Sequence, residues 1–201
     1  MITNETERKQ RPTFSLVDGA TNTKVMKVTA SYIRCMAAIL PATIDIIRQG
    51  DASQKRNLPA ICWAANFKDG KRHAESAEPT GLAYIDIDHI TENMERLNMP
   101  AREVKSVAVN YKKPAELYED LFRGHEEKLG IVHAQISPSG DGLHIVFIPR
   151  IGNSIEEAQE AFAADSGLQF WDKQCKDIGR MLFLSSTPDT LYDALDVLVD
   201  E

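Results

Sequence analysis

The segment Tyr84–Asp88 limits what this chain can fold into more than any other stretch. Its polar and apolar residues alternate, as they do along a β-strand, where side chains two apart share a face. Asp86 and Asp88 therefore point the same way, and the apolar residues between them point into a core. Two neighbouring carboxylates raise each other's pKa, and a divalent cation with a preference for oxygen ligands, such as Mg²⁺ or Mn²⁺, removes that conflict. The segment predicts a metal platform suited to phosphate chemistry.

Composition narrows the classes of function. The chain has 201 residues, is 43% hydrophobic and carries a formal net charge of −7. This acidic balance argues against a protein that coats nucleic acid nonspecifically, because such affinity comes from lysine and arginine on phosphates. An enzyme with a local basic groove stays possible, since positive charge is clustered, although scattered solvated lysines are the ordinary interpretation. The clusters are Lys24 with Lys27, Lys55 with Arg56, Lys68 with Lys71 and Arg72, and Lys112 with Lys113.

The sequence also bears on the compartment. No apolar run approaches the roughly 18 residues that span a bilayer, and the polar N-terminus lacks the apolar centre of a signal peptide. Cys35, Cys62 and Cys175 are far apart and show neither zinc-site spacing nor a disulfide framework. These features predict a cytoplasmic protein with no membrane partner.

The order of elements mixes helices with antiparallel hairpins, which predicts an α+β fold. We expect a flexible tail over residues 1–12, an N-terminal α/β annex over 13–80 and a catalytic core over 81–201, packed as one domain. Helices are predicted over Ala30–Gln49 with an interruption at Pro41, over Glu92–Leu97, over Pro114–Leu129, and from the capping box of Ser154 and Glu157 onward. Strands are predicted over Leu58–Phe67, Leu82–Asp88, Ser106–Val109, Ile131–Ile136, Leu143–Ile148, Leu168–Trp171 and Met181–Leu184.

Three polar features are candidates for one shared site. The first is Asp86 with Asp88. The second is the glycine-rich turn Ser137–Gly142 that leads to His144, where backbone N–H groups and an imidazole can bind phosphate oxygens. The third is Asp172 with the following Arg180, whose guanidinium suits bidentate phosphate contact.

Each feature has an ordinary structural interpretation as well. An Asp-x-Asp pair can serve only to keep an edge strand soluble, and a lone histidine on a strand is usually a satisfied structural group. The sequence Ser-Pro-Ser-Gly-Asp-Gly is commonly just a turn. Asp177 can pair with Arg180, and Asp172 can be a turn residue. The joint pattern is what favours a site.

The order of these motifs resembles that of the archaeo-eukaryotic primase superfamily, the primase–polymerases. The Asp-x-Asp motif matches Ile85–Asp88, the small-x-His motif matches Gly142–His144, and the apolar-Asp motif matches Trp171–Asp172, although many members carry serine where this chain has glycine. The segment Asp177–Leu182 looks like a motif of archaeal primase small subunits. Over residues 55–190 the chain is similar to the primase-like domain at the N-terminus of VirE-type proteins of mobile elements and phages.

The resemblance implies a core related to the RNA-recognition fold, an antiparallel sheet with flanking helices, beside the N-terminal annex. It implies that Asp86, Asp88 and Asp172 hold two divalent ions, Mg²⁺ or Mn²⁺, with Asp177 as the alternative third acid. His144 would contact the triphosphate of the incoming nucleotide. Secondary phosphate contacts would come from Ser137, Ser139, Arg180, and Lys55 or Arg56.

The leading hypothesis from this resemblance is a template-dependent nucleotidyltransferase. As a DNA primase or primase–polymerase, it would make or extend primers from nucleoside triphosphates on single-stranded DNA, with a helicase or other replication protein as a possible partner. One alternative is a catalytically degenerate module that binds single strands or an origin within a replication complex. Another is a metal-dependent nuclease, because the same ion pair can activate water.

Overall fold

A computed structural model describes residues 12–91, 111–152 and 154–198. The described part is a mixed α+β structure with antiparallel sheets, as the sequence predicts. Its strands are β1 (Thr13–Asp18), β2 (Val25–Thr29), β3 (Pro59–Cys62), β4 (Ala65–Phe67), β5 (Ala77–Pro79), β6 (Ala83–Ile87), β7 (Ile131–Ile136), β8 (Leu143–Phe147), β9 (Leu182–Phe183) and β10 (Thr190–Asp193).

Five α-helices accompany these strands in the described residues. They are α1 (Ala30–Ile39), α2 (Pro41–Arg48), α3 (Pro114–Leu121), α4 (Glu126–Leu129) and α5 (Ile155–Ser166). Pro41 begins α2, where its missing N–H costs nothing, so the predicted interruption of this helical region is confirmed. The Ser154 side chain accepts a hydrogen bond from the Glu157 N–H at the start of α5, which is the predicted N-terminal cap.

The strands form two four-stranded sheets and one separate hairpin. The first sheet has the order β2-β1-β3-β9 and the second has the order β10-β7-β8-β6, while β4 and β5 pair with each other. The pairings within both sheets are antiparallel. The first sheet thus combines strands from residues 13–62 with Leu182–Phe183, which comes from the far end of the chain.

The second sheet buries both of its faces. On one face, Tyr84, Val132 and Val146 join a hydrophobic cluster with the first sheet, α1 and α2. On the opposite face, Ile85 and Ile145 pack with α3, α4 and α5. Polar side chains on the first of these faces are therefore enclosed between the two sheets.

Three predicted elements differ from the structure in detail. The single helix over Pro114–Leu129 is two helices: the first ends at Leu121, and Gly124, in the segment between the two, has a φ of 79° that a continuous helix does not allow. Leu168–Trp171 forms no strand and runs as irregular backbone after α5. The buried stretch Leu58–Phe67 contains two short strands rather than one. The predicted tail over 1–12 (save Pro12), the helix over 92–97 and the strand over 106–109 lie outside the described residues.

Within the described ranges, no single helix is long and apolar enough to cross a membrane. The pair α1 and α2 reaches that length and composition only together, across a bend of 56°. Ile33, Ile44 and Ile47 of this pair pack into the core between the sheets.

Candidate active site

The second sheet carries a polar row across three strands. Asp86 on β6 lies opposite His144 on β8, and His144 lies opposite Gln135 on β7. All three side chains are buried, and they share the sheet face of Tyr84 and Val146. Buried polar groups are costly unless they are paired or have a ligand. Strand pairing therefore joins two of the predicted site residues, Asp86 and His144, which lie 58 positions apart in sequence.

A backbone hydrogen bond brings the third acid to the same place. The Asp172 N–H donates to the Asp86 carbonyl oxygen at 2.8 Å. The surrounding loop is fixed by Gln159, whose side-chain amide donates to the carbonyl oxygens of Tyr84 and Cys175 at 3.0 and 2.7 Å. The Tyr84 hydroxyl donates to the Asp177 carbonyl oxygen at 2.8 Å. The loop is thus held on the open edge of β6 without being a strand itself.

The possible metal ligands form a compact group. Oxygen atoms of Asp86 and Asp172 and the Cys175 sulfur all lie within 4.8 Å of one another. The Cys175 thiol donates to Asp172 Oδ2 at 3.0 Å and approaches Asp86 Oδ2 at 3.7 Å. Asp86 Oδ1 is buried and has no hydrogen-bond partner among the described residues. An orphaned carboxylate oxygen beside a second carboxylate fits a divalent cation, because a cation satisfies both.

Burial and crowding shift the protonation of these acids. Burial, followed by repulsion from Asp172, raises the pKa of Asp86 to about 6. Burial, followed by repulsion from Asp86, also raises the pKa of Asp88. Burial and the hydrogen bond to Asp172 raise the pKa of the Cys175 thiol, which keeps it a donor. The group carries more negative charge than its surroundings favour, which is the condition that a bound cation relieves.

The hydrogen-bond network fixes the tautomer of His144. Gln135 Nε2 lies 2.7 Å from the Phe183 carbonyl oxygen, and its Oε1 lies 3.2 Å from the Ser185 N–H, so the amide orientation is set. Gln135 Nε2 is also 3.0 Å from His144 Nδ1, which must therefore accept. Burial lowers the pKa of His144 to about 4, so the ring is neutral with its proton on Nε2. That Nε2–H lies 3.7 Å from Asp86 Oδ1.

Asp88 follows β6 and sits against the glycine-rich turn. A Cβ atom at Gly142 would lie 2.7 Å from the Ile87 carbonyl oxygen and 3.1 Å from Asp88 Oδ1. The turn therefore approaches the end of β6 so closely that a side chain at Gly142 does not fit without a shift. His89, the next residue, has a φ of 53°, a conformation that costs energy for a side chain other than glycine.

Arg48, the last residue of α2, holds this turn in place through hydrogen bonds. Arg48 donates to the carbonyl oxygens of Ser137 and Pro138 at 3.3 Å each, and to Asp189 Oδ1 at 2.8 Å. Ser137 is buried, and its hydroxyl is 2.9 Å from that of the exposed Ser139. Neither serine is among the residues that line the cleft described next.

A cleft of about 590 Å³ opens over the polar row. Its lining includes the predicted site residues Asp86, Asp88, His144, Asp172, Asp177, Lys55 and Arg180. The other predicted cation, Arg56, is exposed and does not line it. The cleft therefore contains both carboxylates and cations, as a site for a metal-bound phosphate requires.

The two candidate third acids occupy different positions. Asp172 belongs to the compact ligand group with Asp86, although its Oδ1 also accepts the Gln174 N–H as a turn residue would. Asp177 lines the cleft but pairs with Arg180 at 3.0 Å; the Asp177 side chain is largely exposed and that of Arg180 is partly buried. The geometry therefore favours Asp172 as the third acid. Asp177 instead engages part of the Arg180 guanidinium in an ion pair.

Three residues near the site are not predicted from the sequence as site residues. Cys175 was noted only for its lack of paired spacing, and Gln135 was part of a strand. Arg72 was noted only within a basic cluster, and that cluster was the one available signal. The structure places Arg72 in the cleft lining, with its Nε buried and without a hydrogen-bond partner among the described residues.

Comparison with known proteins gives a limited similarity. Residues 53–117 match a family described as BT4734-like, N-terminal domain. The matched segment is about a third of the chain and includes Arg72, Asp86 and Asp88, but it ends before His144. No curated protein and no solved structure matches the chain.

Proposed function

We propose that this chain is a template-dependent nucleotidyltransferase of the primase–polymerase class, built on a primase-like core. The observation that carries the proposal is the convergence of Asp86, His144 and Asp172 in one cleft, with one buried carboxylate oxygen that has no hydrogen-bond partner among the described residues. These residues come from three separate motifs, and a purely structural role for each does not require that they meet.

The donor set supports divalent ions at the acids. Asp86 and Asp172 would hold them, with Asp88 at the same cleft, and oxygen donors of this kind suit Mg²⁺ or Mn²⁺. When bound, two such ions would supply positive charge beside an attacking 3′-hydroxyl and a leaving pyrophosphate.

The remaining residues act by position and charge. The neutral His144 offers an Nε2–H toward the acids, where it can donate to a phosphate oxygen. The charge of Lys55 partly opposes the rise in the pKa of both Asp86 and Asp88. Lys55 therefore adds positive charge where a triphosphate would bind. β6 and β8 fix Asp86 and His144 on regular strands, which suits a reaction that depends on positioning.

An incorporation assay tests this function. A labelled nucleotide is supplied on a single-stranded DNA template, with and without a primer, in Mg²⁺ and in Mn²⁺. The proposal expects products longer than the primer, or made without one, that disappear on chelation. A mobility shift without product would instead identify a binding module, and shortened strands would identify a nuclease; either result contradicts the proposal.

A matched pair of variants ties the assay to the site. Asp172→Ala removes a member of the ligand group, and Asp177→Ala removes an acid of the same cleft that is engaged with Arg180. We expect product formation to fall at least about a hundredfold in the first variant and only a few-fold in the second. The opposite order would assign the third acid to Asp177.

A further inference from the structure

The loop between β4 and β5 carries cations to which the proposed function assigns no role. It crosses from the hairpin to β2, where the Val25 N–H donates to the Gly70 carbonyl oxygen at 2.9 Å and the Arg72 N–H donates to the Thr23 carbonyl oxygen at 2.8 Å. Between these two bonds, Lys24 and Lys71 pair as an antiparallel bridge. The backbone therefore holds two lysines directly opposite each other.

This arrangement is unfavourable by itself. Like charges directly opposite each other on paired strands destabilise the pair. Both lysines are exposed, and neither forms an ion pair with a described residue. Lys68 in the same loop differs, because it pairs with Glu78 at 2.9 Å. A ligand with repeated negative charge would relieve the repulsion between Lys24 and Lys71.

Arg72 connects this pair to the cleft. It follows Lys71 directly and lines the cleft that contains the acids. Its Nε is buried without a hydrogen-bond partner among the described residues. Lys55 and Arg180 are among the charges that lower the pKa of Asp86, whereas the charge of Arg72 acts on the buried Cys62. Positive charge thus runs from the cleft at Arg72 to the surface at Lys71 and Lys24.

We propose that this basic track, defined as Arg72, Lys71 and Lys24, binds the phosphate backbone of a single nucleic-acid strand that leads into the cleft. The inference rests on the proposed function for the identity of the cleft, and it adds the template-binding surface. Cations at successive positions along a path suit a ligand with one phosphate per nucleotide, and contacts of this kind require no base sequence.

The test is the salt dependence of binding to a fluorescein-labelled oligothymidylate, followed by anisotropy without metal or nucleotide. The variant Lys24→Ala/Lys71→Ala removes two phosphate contacts. For single strands each contact contributes a slope of about 0.7 in log K against log salt, so the slope should fall by about 1.4 and the affinity by about 25-fold at 0.1 M salt. Arg72→Ala should lower the slope by about 0.7.

The matched control is Lys112→Ala/Lys113→Ala, which removes the same charge from an exposed pair. These residues precede α3, which packs on the sheet face opposite the cleft. The control should bind as the wild type does, and Lys24→Arg/Lys71→Arg should restore most of the affinity if the fold is kept. An unchanged slope in Lys24→Ala/Lys71→Ala, or an equal loss in the control, overturns the inference.

The two proposals fail separately. If the wild type binds the strand through this track but incorporates no nucleotide, the proposed activity fails and the track stands. If the wild type incorporates nucleotides and the track variants bind as it does, the track fails and the activity stands.

Discussion

The cleft has an acidic wall at β6 and a basic wall whose Arg72 continues outward to Lys71 and Lys24, and the chain builds the two in opposite ways. The acids Asp86 and Asp172 lie at β6, one on the strand and one hydrogen-bonded to its edge, and Asp86 is only 8% exposed. In the basic track, Lys24 and Lys71 are exposed, just before an edge strand and on a loop, and Arg72 is partly buried. Buried charge that crowds other charge is costly, whereas exposed charge costs little. The acidic wall therefore carries the stronger physical argument for a ligand.

This difference in burial matches how much fixed geometry a metal ion and a nucleic-acid strand each require. Metal ions require ligand atoms at set distances, so carboxylates belong on a rigid strand or on backbone bonded to one, as Asp86 and Asp172 are. A strand of nucleic acid adapts its path, so cations on a loop suffice to hold it. Three predictions follow the contrast between the walls, from the largest effect to the smallest.

The acidic wall should be indispensable to product formation. Asp86→Ala or Asp88→Ala removes a carboxylate from the cleft, and we expect metal-dependent incorporation to fall at least about a thousandfold in each. Circular dichroism should show an intact fold in both variants. Retained incorporation in both would show that the acids are not the metal platform, and the contrast between the walls would lose its basis.

The Asp86 carboxylate should lower the stability of the folded state in the metal-free protein. The folded state keeps the proton of Asp86 up to about pH 6, whereas an unfolded aspartate loses it near pH 4. Because the folded pKa is raised, the free energy of unfolding falls as pH rises between these values and stays lower above them, by about 3 kcal/mol. Asp86→Asn should therefore raise the melting temperature at pH 7 by several degrees, with no gain at pH 4.

Thermal melts with and without Mn²⁺ sharpen that prediction. A cation that binds only the folded state raises its stability, so Mn²⁺ should stabilise the wild type more than Asp86→Asn. A variant that is less stable than the wild type at pH 7 would indicate that Asp86 is a structural residue. Asp177→Asn serves as the control, because that carboxylate is largely exposed.

His144 should contribute to nucleotide affinity rather than to the metal platform. Loss of one hydrogen bond to a charged phosphate costs about 1.5–3 kcal/mol, so His144→Ala should weaken triphosphate binding about 10- to 100-fold. Equilibrium titration with a fluorescent nucleotide in Mn²⁺ measures this directly. An unchanged affinity would leave the imidazole with only its hydrogen bond to Gln135 and a structural role.

The sequence predicted the parts of the fold that depend on local pattern. The alternation in β6, β7 and β8 and the signals at Pro41 and Ser154 concern neighbours along the chain, and the structure confirms them. The strand predicted over Leu168–Trp171 is wrong because its apolar residues pack against the helical face of the second sheet without strand pairing. An apolar run shows burial, but it does not show which backbone partner is available.

Only those residues of the candidate site that belong to recognisable sequence motifs could be predicted. Asp86 and His144 followed from their motifs, while their register across β6 and β8 required the sheet. The resemblance already favours Asp172 over Asp177, but the backbone bond that joins Asp172 to Asp86 is one that no local pattern announces. Cys175 and Arg72 entered the cleft through tertiary packing alone.

The most direct test of the central claim is a crystal structure with a nucleoside triphosphate and Mn²⁺, with the ions located by anomalous scattering. We expect manganese within coordination distance of both Asp86 and Asp172, and His144 Nε2 within hydrogen-bond distance of a phosphate oxygen. Manganese bound elsewhere, with Asp86 Oδ1 still without a partner, would contradict it.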